Sequence, residues 1–246
     1  MNTDIRYIFL DLGGTFRVID EDPAYLSAAR AKIAELCGVE TDNPNQWFSD
    51  VIDKRYDKYR DWALKFMCEA PEEVLWTRWL AYDMDRERIL KNAAELTYQY
   101  SQTKGRRTVV EGGADTVKEL CARGYTLGII ANTVTETEIP DWMATDGVAQ
   151  CFKTTILSSK VRLRKPNPEI YHLACRCIGT PEANCAYVGD NPVRDVEGTQ
   201  AAGFGMMIRI DEPDTLNMEH ATGKEFTPDH VITALSQLLD IFPART

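Results

Sequence analysis

Four short apolar runs in the second half of the chain constrain the fold most: "YTLGII" (125–130), "FKTTIL" (152–157), "CAYVG" (185–189) and "GMMIRI" (205–210). Each is short for a helix and too evenly apolar for a strand with one wet face, so each reads as a strand covered on both sides. Between them the apolar spacing is helical: Val117, Leu120 and Cys121 before Gly124, then Ile170, Leu173 and Ala174 after "NPE", then "VRDVEGTQAAG". Strands alternating with helices predict an α/β fold built on a doubly wound, mostly parallel sheet. The stretch "YIFLDLGGTF" (7–16) supplies the first strand, which ends at Asp11 and a pair of glycines.

Residues 20–104 have a different texture. Leu26, Ala29, Ile33 and Leu36 share one helical face, as do Tyr56, Tyr59, Ala63 and Phe66, and Ile89, Ala93, Leu96 and Tyr100. An all-helical cap is therefore expected at 20–104, inserted into a core made of 1–19 and 105–246. Trp47, Trp62, Trp76 and Trp79 read as packing of these helices rather than as a ligand cage.

The 246 residues, 44% of them hydrophobic, can fill a substantial core. Lys and Arg number 28 against 38 Asp and Glu, a formal charge of -10, which opposes nucleic acid and anionic membranes and favours a small-molecule partner. No apolar run reaches the roughly 20 residues of a membrane span, and "MNTDIRYIFL" lacks the basic start of a signal peptide, so a cytoplasmic chain is expected. The seven cysteines read as free thiols, and Cys175 and Cys177 face different sides of one helix, which argues against a zinc site. The sequence specifies no oligomeric state.

Ligands of open parallel sheets bind beyond the carboxyl ends of the strands. Asp11, Asn132 with Thr133, and Asp190 with Asp195 one turn later all fall there, and Lys165 precedes a helix. Each alone has a plain structural explanation; "RKPNPE", for example, reads as Asn167 capping a helix with Pro168 in its first turn. Together and in this order, "DLGGTF", "IIANT", "RKPNPEIY" and "VGDNPVRDVEGTQAAGF" resemble the haloacid dehalogenase-like hydrolase superfamily, closely in the core and loosely in the cap.

The resemblance implies a Rossmann-like core with a helical cap and a Mg²⁺-dependent phosphatase acting on a small phosphorylated metabolite. Asp11 matches the nucleophile that forms an aspartyl-phosphate. Asp11, Asp190 and the Gly13 carbonyl match the metal ligands. Lys165 matches the lysine that holds nucleophile and phosphate, Asn132 and Thr133 lie where the phosphate is bound, and Asp195 and Thr15 match supporting positions.

Two positions depart from the family pattern. Gly13 stands where most of its phosphatases carry a second aspartate as acid and base, and Ala131 where a Ser or Thr contacts the phosphoryl group. The resemblance therefore implies reduced or specialised activity. The alternative is a non-catalytic relative that binds a phosphometabolite or a protein. Dehalogenase chemistry uses no metal and has no need of Asp190. Phosphonatase chemistry needs an imine-forming cap lysine, whereas Lys32, Lys54, Lys58 and Lys65 read as surface charges.

Overall fold

The computed structural model describes residues 4–20, 22–211 and 227–245; residues 1–3, 21, 212–226 and 246 of the expected core and cap divisions lie outside the described residues. The alternation of side chains along the strands sets the layers. In β1 (Tyr7–Leu10), Ile8 and Leu10 enter one apolar cluster and Phe9 another, all three fully buried. β4 (Thr126–Ala131) repeats the split, with Leu127 and Ile129 beside Ile8 and with Ile130 beside Phe9. In β6 (Cys185–Gly189), Ala186 and Val188 oppose Cys185 and Tyr187. Helix Gly113–Ala122 covers the first face through Val117 and Leu120, and helix Pro168–Ile178 covers the second through Ile170, Tyr171 and Ala174. Each Val, Leu, Ile or Phe among them contributes about 1.5–3 kcal/mol by leaving water, so both faces hold the sheet in place.

With β5 (Phe152–Leu157), β7 (Met206–Ile210) and β8 (His230–Ile232), the sheet has six parallel strands in the order β5-β4-β1-β6-β7-β8. The chain fills one side of β1 and then the other, which opens a crevice at the carboxyl end of β1. The doubly wound sheet is as the sequence predicts, and the four apolar runs are its strands to within one residue. β8 and the antiparallel pair β2 (Arg17–Asp20) and β3 (Arg106–Val109) are additions. This pair carries the chain out to the helices between Pro23 and Gln102 and back.

Those helices surround a separate apolar cluster containing Ile33, Phe48, Tyr59, Trp76, Ile89 and Leu96. Helix Pro23–Cys37 starts where the Asp22 side chain accepts from Tyr25 N at 3.0 Å, and stops at Gly38 in the left-handed region. Helix Arg86–Gln102 is capped in the same way by Asp85. The four tryptophans pack here as expected, Trp76 completely. Phe66 is a correction: at the end of helix Lys54–Phe66 it is 56% exposed, because Met67 turns the chain away before a neighbour covers it.

A second seam joins helices and core. Glu69 N donates to Arg162 O at 3.2 Å and Arg164 N to Met67 O at 3.0 Å. Buried Glu69 accepts from Tyr59, Arg164 and Ser158. Beside it, Glu72 accepts from Glu136 N at 3.1 Å, and burial pushes its carboxyl up to about 7, with that hydrogen bond opposing. A carboxyl raised above its unfolded value stabilises the fold fully below about pH 4.5, and that contribution is lost as pH rises through about 7. Glu72→Gln keeps the acceptor without the charge. It should stabilise the protein by about 1–2 kcal/mol at pH 8 and by much less at pH 5. Urea denaturation at the two pH values measures this; an equal effect at both would exclude titration of Glu72 as the cause.

Candidate active site

The crevice at the end of β1 collects side chains from three neighbouring strands. Asp11 is the first residue after β1, and its N–H donates to Val188 O on β6 at 2.9 Å. Asp190 follows β6, and Asp195 lies in the wide π-helical turn Pro192–Glu197 within the expected "VRDVEGTQAAG" helix. Asn132 follows β4, and Lys165 precedes the helix that Asn167 does cap, accepting from Glu169 N at 3.0 Å.

Lys165 is 1% exposed, and three acceptors surround its ammonium: Asp11 Oδ1 at 3.0 Å, Asp195 Oδ1 at 2.7 Å and Tyr187 Oη at 2.7 Å. An ammonium has three protons, so this set satisfies and orients it. Tyr187 Oη in turn donates to Ile130 O at 3.0 Å, and Asp195 Oδ2 accepts from Asn191 N at 3.0 Å. Asn132 grips the Lys165 main chain twice, donating to its O at 3.0 Å and accepting from its N at 2.9 Å. That leaves one Asn132 amide hydrogen for a ligand. Thr133 also lines the crevice, with its hydroxyl oxygen accepting from Thr135 N at 3.2 Å.

Asp11, Asp190 and Asp195 are all buried, with carboxylate oxygens within 4.8 Å of one another. Burial pushes the Asp11 carboxyl above its ordinary range; Lys165 opposes this and Asp195 adds to it. Arg194 lines the same crevice, and although burial works to lower its guanidinium, Asp11, Asp195 and Asp190 together raise it. Lys165 and Arg194 thus face the three carboxylates. The donors are all hard oxygens, the set that Mg²⁺ takes.

The two glycines differ. Gly14 has φ +79, and a Cβ there would lie 2.6 Å from Asp190 Oδ2, so only glycine fits. Gly13 is not in the left-handed region, is exposed, and has nothing within 4 Å of where a Cβ would stand. Thr15 reaches across Gly14 and donates to Asp190 Oδ1 at 3.3 Å. Above these residues is a cleft of about 350 Å³, lined by Ala131, Asn132 and Thr133 of the core and by Tyr56, Arg60, Tyr100 and Lys104 of the helical segment.

A family model for haloacid dehalogenase-like hydrolases matches residues 5–203 of the chain. The chain belongs to this family. A phosphoglycolate phosphatase from Salmonella typhi is 30% identical over 236 residues, covering 87% of this chain and 88% of that one. A phosphoserine phosphatase from Thermus thermophilus is 25% identical over 151 residues, 53% of this chain and 60% of its own. Other curated relatives are likewise matched over only about half their length, 53% for one and 50% for another. Among solved structures, a 2-haloacid dehalogenase from Pseudomonas syringae pv. Tomato DC3000 superposes with a TM-score of 0.66 at 21% identity, covering 96% and 97% of the two chains. A HAD phosphatase from Thermococcus onnurineus does so with 0.60 at 20% identity, covering 98% and 99%. At these identities the superpositions speak for the fold.

In this haloacid dehalogenase-like hydrolase, sequence reasoning missed Tyr187 and Arg194. Tyr187 sits inside a wholly apolar strand, and the signal was its hydroxyl, which needs a partner when buried. Arg194 adjoins Asp195 in the sequence, where a charge next to a charge gives no sign of facing the site. The four cap lysines lie outside the cleft walls, with Lys32 and Lys54 paired to Glu35 and Asp50; the cap lysine that does line the cleft is Lys104. Among the described residues no helix is long and apolar enough to cross a membrane.

Proposed function

We propose that the protein is a Mg²⁺-dependent hydrolase of small phosphate monoesters that works through an aspartyl-phosphate on Asp11, with turnover restrained by Gly13 and Ala131. The observation that carries this is Lys165, buried and held at once by Asp11, Asp195 and Tyr187. A binding protein has no need of a carboxylate pre-aligned by a fully oriented ammonium, whereas a nucleophile does.

In this reading Asp11 Oδ bonds to phosphorus as the P–O bond to the ester oxygen breaks on the far side and the alcohol oxygen departs. Lys165 keeps the carboxylate in line and offsets charge on the phosphoryl oxygens, and Asn132 and Thr133 supply the remaining polar contacts. The helical segment 20–104 serves as the lid. No side chain at position 13 gives the departing oxygen a proton, so that proton comes from solvent. Water then attacks the aspartyl-phosphate without a side-chain base at this position. Both steps are slower for that reason, and esters with acidic leaving groups lose least. When held by Asp11, Asp190 and the Gly13 carbonyl, Mg²⁺ supplies charge neutralisation at the transferring group.

The test is a screen of phosphorylated metabolites and aryl phosphates with and without Mg²⁺, combined with calorimetry of Mg²⁺ binding. Asp190→Asn should weaken Mg²⁺ binding by about tenfold or more, in line with the loss of one charged ligand. Equal affinity in the two proteins would put the metal elsewhere. Gly13 and Ala131 favour one other reading, a protein that binds phosphoesters without turning them over. Tight binding with no release of phosphate from any aryl ester would select it.

A further inference from the structure

The cleft is cationic although the chain is acidic. Arg60, Lys104, Arg107, Arg164 and Arg194 line it, against Asp11 and Glu138. Four of the five already have acidic partners. Arg194 faces the carboxylate cluster, Arg164 is paired with buried Glu69, and Arg107 lies 3.9 Å from Glu138. Arg60 and Lys104 belong to the helical segment. Arg60 has no hydrogen-bond or ion-pair partner among the described residues. Lys104 has Asp53 at 3.5 Å, and its ammonium lies 4.6 Å from the centre of the Tyr100 ring.

Tyr100 is an independent sign. It is 1% exposed and lines the cleft, yet its hydroxyl is buried with no hydrogen-bond partner. A buried hydroxyl left without a partner is costly, and in a native protein it marks a place where something else supplies the bond. Unpartnered Arg60, Lys104 with its one 3.5 Å contact to Asp53, and one unsatisfied hydroxyl therefore line the cleft from the helical segment.

We propose that Arg60, Lys104 and Tyr100 bind a second anionic group of the substrate, so that the preferred substrates are phosphate monoesters that also carry a carboxylate or another phosphate. This rests on the phosphoester reading above and adds to it a substrate class. The phosphoryl group occupies the Asp11 end, where Lys165 serves it, and the second anion neutralises the far wall. Burial pulls the Lys104 ammonium below its ordinary range, with Asp53 opposing, and a bound anion would add to that opposition.

The test is calorimetry with Mg²⁺ on the Asp11→Asn protein, in which the nucleophile is absent. Matched probes are 3-phosphoglycerate against glycerol 3-phosphate, and fructose 1,6-bisphosphate against fructose 6-phosphate; the first pair adds a carboxylate and the second a phosphate. At least one doubly anionic probe should bind about tenfold or more tightly than its match, the value of one charge-assisted hydrogen bond. Arg60→Gln and Lys104→Gln, each added separately, should remove most of that preference and leave orthophosphate binding within about twofold. Orthophosphate and esters that bind without preference would overturn this proposal alone, as would a preference that survives both substitutions. Failure of orthophosphate and every ester to bind would overturn the phosphoester reading along with it.

Discussion

Gly13→Asp should raise turnover of an alkyl phosphate by about 10-fold or more, within the range of a positioned acid–base group. Three features of Gly13 make the substitution tolerable: its backbone is outside the left-handed region, the residue is exposed, and no atom lies within 4 Å of the new Cβ. The same change at Gly14 would drive a side chain into Asp190. An aryl phosphate, whose leaving group departs without a proton, should gain much less. Ala131→Ser in addition should help both substrates, because it supplies a contact to the phosphoryl group rather than a proton; one such donor is worth about 10² to 10³ in rate when preorganised. Adding Asp11→Asn should abolish the gain. A folded Gly13→Asp/Ala131→Ser protein inactive on every ester would decide for the binding protein over the hydrolase.

Lys165→Met should destabilise the metal-free protein by about 3–5 kcal/mol, the usual cost of removing one partner from a buried ion pair. The substitution leaves Asp11 and Asp195 without their shared cation and Tyr187 Oη without its donor. The loss should shrink as pH falls from 8 to 5. Burial already raises the Asp11 carboxyl, and a carboxyl raised in the fold stabilises it when protonated and loses that contribution as pH rises. Asp195→Asn in the same background should recover part of the loss by removing one of the opposed charges. Denaturant titration in the presence of a chelator measures all three proteins. If Lys165→Met is as stable as the parent at pH 8, the cluster is held by something other than this ammonium.

The core was legible because its signals are local. Runs such as "CAYVG" and "YTLGII" are buried on both faces, and a carboxylate that ends such a strand must face the crevice. β2 and β3 were not legible, because "RVID" and "RRTV" carry no period-two contrast and become strands only by pairing with each other. β8 is three residues on the sheet edge and signals just as weakly. In the site, the carboxylates and Lys165 were readable from motif spacing. Tyr187, Arg194, Arg60 and Lys104 were not, since their roles come from which way a side chain points after folding. The expected helical face of Tyr56, Tyr59, Ala63 and Phe66 held for Tyr59 and Ala63 and failed at the last turn, where Phe66 outlasts its neighbours.

The apolar clusters are divided between the two jobs. Asp11 hangs from β1, whose side chains belong to the two clusters that flank the sheet, whereas the helical wall carrying Arg60 and Tyr100 rests on a third, which takes Val134 from the core. Substitutions far apart that share no partner act almost independently on stability. Repacking within the third cluster can therefore reshape the wall that meets the substrate while Lys165 and Asp11 keep their 3.0 Å contact. The fold thus lets selection change what the protein accepts without disturbing how it reacts.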